Sequence, residues 1–297
     1  MILCENLKKK KFVVTTEIQP TIDADAGELV KNVERLRGSV DNLRVPDLKI
    51  EGVVADTIGT CRILREQKFD PILQTACRHH SRVDLQAHLS KAAAAGIDNL
   101  LVFTDDYRIT GDSLQEIMFF HVDSGKLFSV LDAIAQGQDI AGRELPQQAQ
   151  FCVGAGIDSR WGSGVPDMQL QEMESLAGLG TDYFLTTPVF DLDSFRQFMN
   201  RVHPLEIPVI AEIILVRSAE IGLFLNKYVR SGLVPRHIID RLAAAQDTER
   251  ASVEIVIEVV QGLRELCQGV HLIPIGAADR IPAYLDAVKR SSAGTEG

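Results

Sequence analysis

The sequence lacks the features that mark exported, membrane-embedded and nucleic-acid-binding proteins. Its first residues, MILCENLKKKKF, contain no long apolar core after the charges, so no secretory signal is predicted. No stretch approaches the roughly 20 apolar residues that a membrane span needs. The net charge of −10 argues against a nucleic-acid surface and gives no support for an anionic membrane partner. We therefore expect a cytoplasmic protein that acts on small molecules, with no nucleic-acid or membrane partner.

Cysteine is scarce, and its pattern is not that of a metal site. The five cysteines form no C-x-x-C pair, and their number is odd. Cys77 lies close to His79 and His80, but this spacing matches no standard zinc pattern. We predict no metal site, and reduced thiols are the default expectation for a cytoplasmic chain.

The composition is that of a globular protein with one sizeable core. Of 297 residues, 45% are hydrophobic and 24% are charged. The length suits a single α/β barrel, and no low-complexity linker divides it. We predict one domain over residues 1–297, with a frayed tail from about 291 to 297.

Strand-like and helix-like segments alternate along the chain. Helical periodicity is clear in AGELVKNVERLRG, VDLQAHLSKAAAAG and SFRQFMNRV. Apolar, β-rich runs occupy 12–17, 40–45, 71–76, 98–103, 150–154, 182–186, 207–214 and 270–275. This alternation predicts an α/β fold, a (β/α)₈ TIM barrel, with extra helices within 217–268 before the last strand. A doubly wound open sheet is the alternative, but no G-x-G-x-x-G follows the first strand.

Polar side chains recur where the predicted strands end, and these ends meet at one face of a barrel. Glu17 ends the first strand, unless the strand stops at Thr16 and Glu17 is simply solvated. A buried carboxylate costs several kcal/mol unless it is paired or protonated, so a carboxylate at a core-strand end needs a reason. The other polar groups at strand ends are Gln74, Asp105, Asp106, Thr186, Thr187 and Glu212.

Five segments, in order, resemble those of the methylenetetrahydrofolate reductases over nearly the whole chain. They are TTEIQP (15–20), AGIDNLLVFTDDY (95–107), FFHVDS (119–124), LGTDYFLTTPVFDLDSF (179–195) and GVHLIPIG (269–276). The resemblance implies an eight-stranded α/β barrel that holds FAD at the strand ends and takes hydride from NADH or NADPH. It also implies the reduction of 5,10-methylenetetrahydrofolate to 5-methyltetrahydrofolate, or of a related pterin.

The resemblance assigns roles to individual residues. Glu17 matches the family's catalytic Glu and is the predicted general acid for the departing folate nitrogen. Asp106 matches the Asp near flavin and pterin, where it supports the pterin cation. Predicted cofactor-binding residues are Thr15, Gln74, Thr104, Asp105, Phe120 and His121, and predicted substrate-binding residues are Asp106, Thr187 and Glu212.

Several positions depart from the family pattern, mostly where flavin or its diphosphate lies. Gln74 stands where the family has His, Pro46 where it has Thr, Leu176 where it has Lys, and Glu212 where it has Gly. Residues 104–106 replace the Arg-Gly-Asp turn of the family. The Gln after strand 6 and the Arg after the last strand are Thr187 and Ala277. Losing cations weakens phosphate binding, although Arg108 and Arg160 are candidates for compensation.

The sequence is compatible with three functions. The first is the family reaction through bound FAD, which we expect to be held weakly. The second is the same reaction by direct hydride transfer from NADH or NADPH, without flavin. The third is a barrel that binds a reduced pterin without redox chemistry, as a subunit of a larger assembly. The sequence leaves open a homo-oligomer or a partner subunit.

Overall fold

The fold is built from strands that alternate with helices. The computed structural model describes residues 2–20, 26–47, 49–50, 53–76, 81–103, 124–159, 166–229, 232–275 and 280–293. Along these segments the strands are β1 (Val13–Glu17), β2 (Asn42–Val45), β3 (Lys49–Ile50), β4 (Val53–Val54), β5 (Pro71–Ala76), β6 (Asn99–Phe103), β7 (Cys152–Ile157), β8 (Tyr183–Pro188), β9 (Val209–Ile214) and β10 (Gly269–Ile273). The pair β3 and β4 forms a separate antiparallel sheet.

Helices follow most of the strands. They are α1 (Ile2–Lys8), α2 (Ala26–Glu34), α3 (Thr57–Glu66), α4 (Arg82–Ala94), α5 (Ser124–Ala135), α6 (Pro166–Gly178), α7 (Leu192–Val202), α8 (Ala219–Phe224), α9 (Arg236–Ala244), α10 (Thr248–Arg264) and α11 (Ile281–Ala293). A 3₁₀ turn at His203–Leu205 follows α7, and a π-helical turn at Leu225–Val229 follows α8. None of the helices in the described segments is long and apolar enough to cross a membrane.

The remaining eight strands close into a parallel barrel in the order β1-β2-β5-β6-β7-β8-β9-β10. This confirms the predicted (β/α)₈ barrel, because all eight predicted strands are present. Their ends lie within three residues of the predicted ends, as in β7, which was predicted at 150–154 and observed at Cys152–Ile157. The extra helical material before the last strand is α8, the π-helical turn and α9, which precede α10.

Successive residues of each strand face opposite sides of the barrel wall, as β geometry requires. Outward-facing side chains such as Val14, Leu43 and Leu73 pack beneath the helices in the larger hydrophobic core. Inward-facing side chains such as Val13 and Ile72 belong to a second core inside the barrel. Most barrel strands therefore carry apolar residues on both faces, which produces the continuous hydrophobic runs of the sequence.

The helix α1 closes the end of the barrel where the strands begin. Its Leu3 and Leu7 are buried in the inner core, and Cys4 forms a disulfide with Cys152 at the start of β7. The Cα atoms of the two cysteines are 5.9 Å apart. The expectation of reduced thiols is therefore wrong for this pair, because folding brings together two cysteines that are 148 residues apart in sequence.

The other cysteines in the described segments do not share this arrangement. Cys61 and Cys267 are free and buried. Cys77, His79 and His80 lie outside the described residues.

Candidate active site at the carboxyl ends of the barrel strands

Two glutamates and one arginine form an ion-pair cluster inside the barrel, which we call the triad: Glu17, Arg44 and Glu212. The Arg44 Nη2 atom donates to Glu17 Oε2 at 2.5 Å, and Nη1 donates to Glu212 Oε2 at 3.2 Å. The exposed fractions of the side chains are 18% for Glu17, 7% for Arg44 and 10% for Glu212. Glu17 thus ends β1 as predicted, but it is paired rather than freely solvated.

The electrostatics of the triad are those of charges removed from water. Burial raises the pKa of the Glu212 carboxyl to about 7; the charge of Arg44 opposes this shift, whereas the charge of Glu17 adds to it. Burial alone lowers the pKa of Arg44, but Glu17 and Glu212 together raise it above its ordinary value. One guanidinium therefore serves two carboxyl groups that differ in depth and in hydrogen-bond length.

The neighbouring strand β10 places a histidine beside the triad. His271 pairs in register with Glu212 on β9 and with Thr15 on β1, and its Nδ1 lies 2.8 Å from Thr15 Oγ1. Burial, and then the charge of Arg44, hold the pKa of His271 well below its usual range. His271 is therefore neutral. Thr15 is buried against His271, and the predicted contact of Thr15 with a cofactor stays a prediction.

Two buried nitrogen atoms at this site lack a hydrogen-bond partner in the described part of the chain. They are Arg44 Nε and His271 Nε2. Buried polar atoms of this kind are normally satisfied by water or by a ligand. The inner surface beside the triad therefore has hydrogen-bonding capacity that the described residues leave unused.

The strand β8 contributes two threonines, and its pairing with β9 is irregular beside Glu212. The register shifts between Leu185 and Pro188, as at the β-bulges often found next to active sites. Thr186 Oγ1 accepts from the Glu212 backbone N–H at 3.3 Å. Thr187 Oγ1 donates to Asp158 Oδ1 at 3.2 Å and accepts from Ser159 N at 3.1 Å. Thr187 is buried in this network, and its predicted substrate contact stays a prediction.

Aromatic rings fill the barrel interior opposite glycines. A Cβ atom on Gly156 would lie 2.1 Å from Cε1 of Phe103, and one on Gly154 would lie 2.1 Å from Cζ of Tyr183. Only glycine therefore leaves room for these rings. Gln74, at an inward position of β5, is half-buried, as expected for a residue that faces a ligand space.

Several predicted site residues fall outside the described residues. They are Asp106, Thr104, Asp105, Phe120 and His121, together with Arg108, Arg160 and Ala277. The structure thus brings together Glu17, Glu212, Thr15 and the two residues that the sequence prediction missed, Arg44 and His271. A signal for both was present, because each is a charged or titratable residue at an inward position of a predicted core strand, in NLRV and GVHLI.

The described residues do not fit a resident FAD. Leu176, which the family resemblance matches to a phosphate-binding Lys, is buried in the core beneath the helices. Glu17 and Glu212 bring two carboxyl groups to the mouth, and the Arg44 guanidinium is held between them. A diphosphate needs cations that are available to it, and Arg44 is already engaged.

The fold and the site together define a class: a (β/α)₈ barrel with acidic groups at the carboxyl ends of its strands, the position of active sites in such barrels. The family model "Methylenetetrahydrofolate reductase" matches residues 3–289, and the chain belongs to that family.

Solved structures share the fold at low sequence identity. An uncharacterized protein from Clostridium thermocellum, described as binding two copies of 5-methyl-5,6,7,8-tetrahydrofolic acid, is 14% identical, with 98% of each chain covered and a TM-score of 0.67. Tryptophan synthase from M. tuberculosis, in its open form with BRD0059 bound, is 13% identical over 98% of this chain and 96% of that chain, with a TM-score of 0.55. No curated protein matched the chain.

Proposed function

We propose that the chain binds a reduced folate at the carboxyl ends of the barrel strands and reduces 5,10-methylenetetrahydrofolate to 5-methyltetrahydrofolate. The observation that carries this proposal is the triad, which holds two carboxyl groups at the mouth of a barrel of this family. The likeness to the Clostridium thermocellum protein, with its bound 5-methyltetrahydrofolic acid, adds support for folate as the class of ligand.

The reaction needs a proton donor and a hydride donor. The methylene carbon of the substrate bridges N5 and N10. When the bond between the methylene carbon and N10 breaks, its electron pair goes to N10. N10 takes a proton from one of the two glutamates of the triad, and an N5-iminium cation remains. A hydride from NADH or NADPH then adds to the methylene carbon and gives the N5-methyl group and the oxidised nucleotide. A carboxylate beside the cation stabilises it.

The misfit of the described residues to FAD favours direct transfer of the hydride from the nicotinamide. A resident flavin must stay bound through every turnover, whereas a nicotinamide nucleotide binds and leaves each time and so tolerates a weaker diphosphate contact. We therefore propose NADH or NADPH as the immediate donor and only weak binding of FAD.

A second candidate function is non-redox binding of a reduced pterin, as a subunit of a larger assembly. The ion pair of Glu17 with Arg44 favours it, because a carboxylate engaged in this way accepts hydrogen bonds rather than donating a proton. The same geometry serves to bind a cationic or hydrogen-bond-donating pterin ring.

One experiment separates these functions. The purified protein is incubated anaerobically with 5,10-methylenetetrahydrofolate and NADH or NADPH, with and without FAD, and 5-methyltetrahydrofolate is quantified by chromatography. Product without FAD supports direct transfer. Product only with FAD supports the flavin route. Binding of 5-methyltetrahydrofolate in a calorimeter without any turnover supports the second candidate, and absence of folate binding contradicts both.

A matched pair of variants tests the role of Asp106. Asp106→Asn is expected to weaken folate reduction far more than Asp105→Asn, because the resemblance places only Asp106 beside the pterin cation. Equal losses in the two variants would show that this alignment of the turn is wrong.

A further inference from the structure

The triad has more acidic than basic groups at a buried position, where an uncompensated charge is unfavourable. It contains one guanidinium, which stays protonated in proteins, and two carboxyl groups. With both carboxyl groups ionised, the triad would hold a net charge of −1 in an almost fully buried position. A buried charge without compensation costs several kcal/mol, and a carboxyl group avoids that cost by taking up a proton.

None of the groups that the structure describes around the triad supplies a second cation. Among the described residues, His271 on β10 lies in register with Glu212, but burial and the charge of Arg44 hold its pKa well below its usual range. Tyr183 on β8 is also buried, and its pKa is raised by that burial, so it stays a neutral phenol. Thr186 is neutral: its hydroxyl accepts from the Glu212 backbone N–H and donates to the Thr187 carbonyl oxygen. Of the groups described at this site, Glu17 and Glu212 are therefore the ones that can carry the compensating proton.

The geometry distinguishes the two carboxyl groups. Glu17 makes the shorter bond to Arg44, at 2.5 Å, as expected for a charge-assisted contact to a carboxylate. The bond of Glu212 is longer, at 3.2 Å, and its side chain is less exposed. The upward shift of the Glu212 pKa, caused first by its burial, agrees with this order.

We propose that Glu212 is the group that delivers the proton to N10 of the folate, and that Arg44 is a positioning residue that keeps Glu17 as a carboxylate facing the iminium cation. This inference rests on the proposed reduction of methylenetetrahydrofolate. As the bond between the methylene carbon and N10 breaks, N10 takes the electron pair and the proton of Glu212. Glu212 becomes a carboxylate and regains a proton from solvent before the next turnover. This proposal assigns the acid role to Glu212, which replaces a family glycine, whereas the family resemblance assigns that role to Glu17.

The test begins with a measurement that needs no folate. The protein is labelled with ¹³C at the glutamate side-chain carboxyl carbon, and the carboxyl resonances are followed by NMR as the pH is raised. We expect one resonance to titrate near pH 7, to be absent from Glu212→Gln and to persist in Glu17→Gln. Loss of that resonance in Glu17→Gln, or its absence from the wild type, would overturn the assignment. If Glu212→Gln does not fold, the wild type and Glu17→Gln still decide between the two residues.

The second part of the test is the pH profile of kcat/KM for folate reduction. The wild-type rate is expected to fall above about pH 7, where Glu212 loses its proton. Glu212→Gln is expected to lose about 100-fold in rate and also this alkaline limb. Glu17→Gln should keep the limb, moved to lower pH because the charge of Glu17 adds to the shift of the Glu212 pKa, and at a lower rate. In Arg44→Met the limb should move to higher pH, because the charge of Arg44 opposes the shift of Glu212.

The outcomes separate the inference from the proposed function. An alkaline limb that survives in Glu212→Gln, or an Arg44→Met profile that does not move, would overturn the donor and positioning roles. A neutral-range carboxyl titration in a protein that does not reduce methylenetetrahydrofolate would overturn the proposed function and the donor role with it. The proton would still be placed on Glu212.

Discussion

Replacing Glu212 by Gln changes how the stability of the protein depends on pH. The carboxyl of Glu212 has a pKa of about 7 in the folded protein, against an ordinary value of 4.5. Below the ordinary value the group is protonated in both the folded and the unfolded chain. As the pH rises toward 7, the unfolded chain releases the proton while the folded protein keeps it, so the unfolded state is favoured.

The size of this effect follows from the two pKa values. The interval between 4.5 and about 7 corresponds to roughly 3 kcal/mol of folding free energy, at about 1.36 kcal/mol per pH unit. Stability from this group is fully present below pH 4.5 and is lost as the pH rises through about 7. Glutamine keeps a similar shape and a carbonyl that accepts from Arg44, but it does not titrate. Relative to the wild type, Glu212→Gln should therefore gain roughly 3 kcal/mol between acidic and mildly alkaline pH.

Chemical denaturation measures this difference directly. Unfolding curves of the wild type and of Glu212→Gln are recorded at several values between about pH 5 and pH 8, and the difference in unfolding free energy is plotted against pH. Other titrating groups cancel in the difference. Glu265→Gln, at an exposed position just after α10, is the matched control and should show no such slope. A difference that is independent of pH would refute the placement of a proton on Glu212 in the folded protein.

Three further predictions concern the disulfide, the barrel interior and the flavin. Reduction of Cys4–Cys152 should lower the unfolding free energy by about 2–4 kcal/mol, and up to about 5 in the chain-entropy model for so long a loop, as measured by denaturation with and without reductant. Cys4→Ser should not respond to reductant, and an equal midpoint for the oxidised and reduced wild type would contradict the pairing. Gly154→Ala should lower the unfolding free energy by about 1–3 kcal/mol in the same assay, because the new methyl group meets the Tyr183 ring, which is held by the hydrogen bond of its hydroxyl to the Leu100 carbonyl. The control Gly178→Ala, at an exposed position, should leave the unfolding free energy unchanged. The protein should purify without stoichiometric flavin, and a yellow protein with one bound FAD per chain would show that groups outside the described residues bind the diphosphate.

Most of the barrel was predictable because its signals are local. Most barrel strands carry apolar residues on both faces and are followed by a segment of helical periodicity, so strand positions could be read from short windows. The polar end of β1 was also predictable, since Glu17 follows Val13 and Thr15 at the inward spacing of two residues. These features depend on neighbours in the sequence and not on distant partners.

The contacts of the site were not predictable in the same way. Arg44 reaches Glu212 across 168 residues of sequence, and Cys4 reaches Cys152 across 148. Neither pairing leaves a local signature, because each depends on how the barrel closes and on how α1 packs against it. The alternation of side chains along a strand places Arg44 on the inner face of β2. A charge at that buried position is explained only by the two carboxyl groups that face it, and these come from distant parts of the sequence.

The charge of the triad gives a physical reason to expect folate chemistry rather than tight flavin binding here. With a proton on Glu212, the triad is neutral and faces the neutral ring system of methylenetetrahydrofolate. When the proposed proton transfer opens the bridge, the triad acquires a charge of −1 and a positive charge arises on the N5-iminium group of the folate. The two new charges arise side by side in a poorly solvated space, where their attraction is stronger than in water. A diphosphate at the same place would oppose the loss of the proton and would itself be repelled by Glu17. The glutamate at position 212 is thus suited to a reaction that creates a cation, and it is a poor neighbour for an anionic cofactor.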